Sequence, residues 1–254
     1  MNNQLKLTRP ARFASALAGL LLLTIAASSS GQILPPSSLP YGYSYEEWSA
    51  KWWQFFLGQS TNRLEAIGDP GICSGPASRV RFLNAPLGGG TATRQAIIPS
   101  HTPLFFPILA FVADNTACPV TAFSSSTADQ LAAAAEGGWI SGATLTTCTI
   151  DGVAVPGLVD PTNSIYNVVS PPFSYTTAEF GNVLGLVEGE PCIPGGLTIY
   201  PAVADGNYLM VAPLSVGKHT IHFVGIAGPL ATPFLEFDVT YEILVVPDFD
   251  RDDR

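Results

Sequence analysis

From Leu235 to Val245 every second residue is apolar: Leu235, Phe237, Val239, Tyr241, Ile243 and Val245 alternate with Glu236, Asp238, Thr240 and Glu242. A side-chain period of two puts one set on each face of a β-strand, so the stretch predicts a long strand with one face in a core and one in water. A chain that ends in such a strand must supply partners for it. The partners are legible upstream. Arg79 to Leu83 alternates as a strand, Asn84 to Gly90 forms a Pro/Gly-rich turn, and Thr91 to Ile98 is a second strand with Arg94 on its polar side.

Pro103 to Val112 is a continuous apolar run whose length favours a buried strand, and Pro107 within it predicts an edge, a bulge or a break. Thr144 to Ile150, Asp151-Gly152 and Val153 to Val155 read as a hairpin, because Asp-Gly accepts the two positive φ angles of a type I′ turn. Ile165 to Val169 and Phe173 to Tyr175 are shorter apolar pieces. Asn207 to Ala212 and Lys218 to Gly225, joined through Pro213 to Gly217, predict another hairpin. Short strands at regular spacing, without strand-helix alternation, predict a mainly β fold, an antiparallel β-sandwich of jelly-roll or Ig-like type.

Two segments read as helices. In Tyr41 to Gly58, Ser44 and Glu47 fit a capping box, and Gly58 stands where a left-handed C-terminal residue is expected. At about 100° per residue, Tyr45, Trp48, Trp52, Phe55 and Phe56 share one arc, opposite Glu47, Lys51 and Gln54. Trp53 falls away from that arc, next to Glu46. Thr127 to Gly137, rich in alanine, predicts a short crossover helix.

Lys6, Arg9 and Arg12 ahead of the apolar run Phe13 to Ala27 read as a signal peptide over residues 1–27, which implies a secreted or periplasmic protein. Residues 28–40 form an extended lead-in, 41–246 a single sandwich domain, and 247–254 a solvated acidic tail. Neither the leader nor any later stretch is long and apolar enough for a membrane span after cleavage. The formal charge is −9 and moves to about −12 once the three leader cations are removed, which disfavours nucleic acid as a partner. Four cysteines, Cys73, Cys118, Cys148 and Cys192, predict two disulfides in an oxidising compartment, with three pairings open. They lack the paired spacing of a metal site, and no cofactor motif is present.

The W-x-x-x-W-W helix, the strand Leu104-Phe-Phe-Pro-Ile108 and the strand Gly217-Lys-His-Thr-Ile-His-Phe223 together resemble a family of exported bacterial proteins without an assigned activity. The resemblance spans roughly residues 41–246 and implies export, not a mechanism. The family pattern often has a cysteine before the Pro-bounded turn, where this chain has Ala96-Ile97-Ile98, so no disulfide pairing carries over.

Catalytic signals are sparse. There is no G-x-S-x-G elbow, and the acidic triplet Asp248, Asp250, Asp252 lacks the glycine and glutamate of a calcium loop. His219 and His222, three apart in a strand, point to opposite faces and share no metal: His219 inward, His222 outward. His101 lies in the turn Pro99 to Pro103, where loops on a rigid sheet place sites. Trp53 is the candidate platform for stacking a sugar ring, with Glu46 beside it, and Arg94 and His101 complete the set of candidate ligand-binding residues. The expected function is a secreted binding or structural module of the envelope or medium, with a glycan or another envelope protein as partner. Two other classes stay open: a hydrolase of a polysaccharide or ester using His101, Arg94 and Glu46, and a self-associating matrix component.

Overall fold

The structure is a computed structural model that describes residues 31–61, 71–72, 80–116, 125–185 and 193–248. The signal-peptide expectation, the tail beyond residue 248, and Cys73, Cys118 and Cys192 lie outside these residues. Two sheets face one another. The first runs β1(Gly71–Ile72), β2(Arg81–Phe82), β4(Leu104–Asp114), β9(Thr198–Val211), β7(Asn167–Val169), with β8(Phe173–Thr176) also on β9. The second runs β3(Gly90–Pro99), β11(Leu235–Val246), β10(Gly217–Ala227), β5(Ala143–Ile150), β6(Val153–Ala154). The mainly β sandwich is as expected, but neither sheet is purely antiparallel: β3 runs parallel to β11, and β2 parallel to β4.

The β11 alternation lies in register as read: Val239, Tyr241, Ile243 and Val245 are buried, while Glu236 and Glu242 are exposed. Asp151 (φ 52°) and Gly152 (φ 78°) make the predicted turn between β5 and β6. The segments around residue 213 do not form a hairpin. β9 stays in the first sheet and β10 enters the second, so Pro213 to Gly217 turns a corner between sheets. The reason is visible along β9, which is buried from Ala202 to Val211 on both faces and needs cover on each.

One cover is α1(Tyr45–Leu57), closed by the Ser44–Glu47 capping box. Its buried arc is wider than the periodicity implied, adding Ser49, Ala50, Trp53 and Leu57. Each of the three indoles of α1 is anchored through its N–H: Trp48 donates to Pro40 O at 2.9 Å, Trp52 to Leu83 O at 2.9 Å, and Trp53 to Tyr208 Oη at 2.8 Å. Tyr45 Oη donates to Leu34 O (2.6 Å) and accepts from Met210 N–H (2.9 Å), which ties the lead-in to β9. That lead-in is not simply extended. Ile33 bridges Val211, and two 3₁₀ turns, Pro36–Ser38 and Pro40–Gly42, follow. Gly58 is right-handed (φ −81°), not left-handed; a Cβ there would lie 3.0 Å from Gln54 O, so space rather than dihedral freedom selects glycine.

The second cover is α2(Ala128–Glu136), capped by Thr127 and Gln130. It is more than a surface crossover: Leu131 and Ala135 pack with Ala113 and Val203 in a small core of their own. Cys148 on β5 is buried and free, and its three possible disulfide partners lie outside the described residues. It points into the core, where burial pushes its thiol up to about 12 and leaves it protonated and unreactive.

Pro107 decides where the first sheet stops. Arg81 N–H donates to Pro103 O and Leu83 N–H to Phe105 O (3.1 Å), the rhythm of a parallel ladder. The next bond of that rhythm would run from residue 107 to Leu83 O, and a proline has no N–H to give. The Trp52 indole fills the gap. We expect Trp52→Phe to orphan the Leu83 carbonyl and to cost about 1–3 kcal/mol in urea unfolding. Adding Pro107→Ala, which supplies a backbone donor, should recover part of that loss, whereas strict additivity of the two changes would show that the carbonyl does not matter.

Candidate functional site

Because β2 pairs only with Leu104–Phe105, β4 continues past it without a strand neighbour on that side among the described residues. A register shift between Pro107 and Leu109 follows at once. The bulged Ile108 reaches the opposite sheet, where a Cβ on Gly225 would come within 2.5 Å of the Ile108 carbonyl; only glycine fits. The three irregularities the run Pro103 to Val112 allowed are thus two: an edge and a bulge, in succession.

Beside this open flank lies a cleft of about 230 Å³. Trp52, Trp53 and Phe56 of α1 form one wall and Pro107 to Ala110 of β4 another. The turn Ala85–Gly88, Leu184, Trp139 and Phe237 close the rest. The rings are held in fixed relation: Trp52 stacks on Phe56 (4.8 Å, 16°) and meets Trp53 edge-on (5.0 Å, 90°). The N–H groups of Trp52 and Trp53 are already used, so the α1 wall presents ring faces rather than donors. Among the described residues no charged side chain lines it. An aqueous solute with a formal charge would lose hydration there for nothing.

Sequence reasoning picked Trp53 for the wrong reason. It is 8% exposed and its N–H is bound, so it cannot offer a flat face to a sugar in solvent. It is instead one side of an apolar wall. Trp139, 39% exposed at the cleft and packed on Phe111 (5.3 Å), was missed because a lone tryptophan after Gly137-Gly138 carries no periodic signal.

The other candidates do not gather around the cleft. Glu46 is exposed in the first turn of α1, and His101 is exposed in the β3–β4 turn with φ 67°. Arg94 is a correction: it is 4% exposed and points inward from β3, on the side of Ala96 and Ile98 rather than of Thr93 and Gln95. None of the three lines the cleft.

A second cluster has the residue types of a nucleophilic triad. His219 Nδ1 is 2.7 Å from Asp151 Oδ2, and Ser215 Oγ is 3.3 Å from Nε2. A general base needs an unshared pair on Nε2 directed at the hydroxyl. Here the shorter contact of Nε2, 2.8 Å, is to the Ser215 carbonyl, which only accepts, so Nε2 donates. Asp151 Oδ1 also accepts from Thr220 N–H (2.9 Å). The ring therefore clamps the β5–β6 turn to the β9–β10 corner. As read from the sequence, His219 faces inward, and His222 faces outward to Asp238 (2.8 Å).

One further ionisable group is buried. Asp205 on β9 is 3% exposed and accepts from Asn167 Nδ2 at 3.0 Å. Burial pushes its carboxyl up to about 6, and the nearby Glu136 charge adds in the same direction. The native state thus binds the proton more tightly than the unfolded chain, so stability falls as pH rises from about 4 to about 6 and is flat above. Asp205→Asn should remove that fall: it should melt a few degrees above wild type at pH 7.5 and lose this advantage near pH 4, by calorimetry across pH.

No family model matches the chain, and no curated protein and no solved structure matches it.

Proposed function

We propose that this chain is an exported binding protein whose cleft beside β4 takes a small uncharged apolar ligand, an aromatic ring or a short alkyl segment. The observation that carries the reading is an aromatic-walled cleft in which the indole N–H groups of Trp52 and Trp53 are spent elsewhere. Its size fits that class: about 230 Å³ lies between the ~150 Å³ cavity that admits benzene and the ~300 Å³ at which drug-sized pockets begin. Export rests on the basic and apolar leader, and an acidic chain of charge −9 suits a free solute rather than an anionic polymer.

The glycan alternative now depends on Trp139, whose partly exposed face borders the same cleft, and not on Trp53. This cleft lends no support to the hydrolase alternative, since His101, Arg94 and Glu46 do not line it.

Calorimetric titration with naphthalene and 1-octanol, beside a panel of soluble oligosaccharides, tests the assignment. The apolar compounds should bind with a negative heat-capacity change, the mark of buried apolar surface. Ala85→Trp, which fills the cleft, and Leu184→Arg, which charges it, should each weaken binding at least tenfold while the thermal melt stays cooperative. Unchanged affinity in both variants would sink the proposal, and so would oligosaccharide binding that Trp139→Ala abolishes while the apolar compounds are ignored.

A further inference from the structure

The second sheet also ends on an open strand, and its chemistry differs from that of the cleft. β3 is hydrogen-bonded to β11 on one side, and among the described residues no strand lies on the other. Which of its backbone groups face outward follows from one bond. Ser100 N–H donates to Val246 O at 2.7 Å, and along a strand successive residues address alternate sides. Ile98, Ala96, Arg94 and Ala92 therefore bond to β11, and Thr91, Thr93, Gln95 and Ile97 turn their N–H and C=O groups to the open edge. Pro99 falls in the second set, so its missing N–H is wasted where no partner stands, as edge strands favour.

Natural edges are usually blunted by an outward lysine or by shortness. This one has neither. It is ten residues long, Thr91, Thr93, Gln95 and Ile97 are all exposed, with Ile97 at 67%, and none is charged. The acids of this sheet stand back on β11, at Glu236, Asp238 and Glu242, and Gln95 Nε2 donates to Glu242 (3.1 Å). A chain of formal charge −9 thus presents one neutral strip from which a second copy is not repelled.

We infer that β3 is a self-association edge, pairing antiparallel with β3 of a second copy about a two-fold axis at Gln95. The midpoint of Thr91 to Pro99 is Gln95, so full overlap sets Gln95 against its counterpart, Thr93 against Ile97 and Thr91 against Pro99. Gln95 belongs to the outward set, and the central pair exchanges both of its backbone bonds. The contact is isologous and closes at two copies, joining the two five-stranded sheets into one continuous sheet. A single edge buries little area, which places the dimer in the weak, concentration-dependent class.

Sedimentation velocity and light scattering on the full chain, over a broad concentration series, read the outcome. Wild type should pass from monomer to dimer as concentration rises. Gln95→Pro deletes an edge N–H that the folded monomer does not use, and Ile97→Lys places a charge on each side of the axis. Each should raise the dimer Kd at least tenfold, with a melt like that of wild type. If Gln95→Pro perturbs the fold, Ile97→Lys and Thr93→Lys decide between them. A wild type that stays monomeric to its solubility limit overturns the inference, as does a dimer whose Kd these folded variants leave unchanged.

Discussion

The hydrogen bond from the Trp52 indole to the Leu83 carbonyl is the joint on which the helix, the first sheet and the cleft all turn. A buried carbonyl without a donor is costly, so a proline inside β4 is tolerable only where another group supplies the hydrogen. Trp52 does so from outside the sheet. The consequence is geometric: α1 is held at the point where β2 ends, and its rings become the wall of the space that β2 does not fill. A shorter apolar residue at 52 could pack against the sheet but would leave the carbonyl bare.

Much of this was written in periodicity. The β11 alternation, the Asp151-Gly152 turn and both helix caps are local signals whose cause and effect lie within a few residues. What the sequence could not show is pairing at a distance. β3 lies parallel to β11, more than a hundred positions away, and nothing local distinguishes a strand that will join a parallel ladder from one that will not. Arg94 was misplaced for the same reason: alternation fixes which residues share a face but not which face is inside. The candidate site was half legible. Pro107 and the tryptophans were each conspicuous, yet their meeting depends on the β2–β4 register, which two-residue β2 does not announce.

Several polar groups inside the sandwich are spent on joining segments far apart in sequence. Tyr45 links the lead-in to β9, Tyr241 links β11 to Asn84 at 2.8 Å, and His219 links two turns. Asp205 does the same with Asn167, and burial of its carboxyl makes that join sensitive to pH. Groups used as fasteners are poor reagents. A histidine held between a carboxylate and a carbonyl, or an indole N–H already donated, has little left to offer a substrate, and this is why binding by ring faces suits the molecule better than acid-base work.

Both open flanks carry a proline. Pro107 withholds the N–H that would continue β2 along β4, whereas Pro99 only sits where the outer side of β3 has no partner among the described residues. The flanks are then distinguished by what surrounds them. Along β4 the vacancy is roofed by Trp52, Trp53 and Phe56 and is narrow and apolar, too confined for a whole strand. Along β3 no described strand stands on the outer side, and the strip of Thr91, Thr93, Gln95 and Ile97 is exposed and uncharged. An open strand flank becomes a pocket where aromatic side chains cover it and stays an exposed edge where they do not, so the placement of the tryptophans, more than that of the prolines, separates the two surfaces.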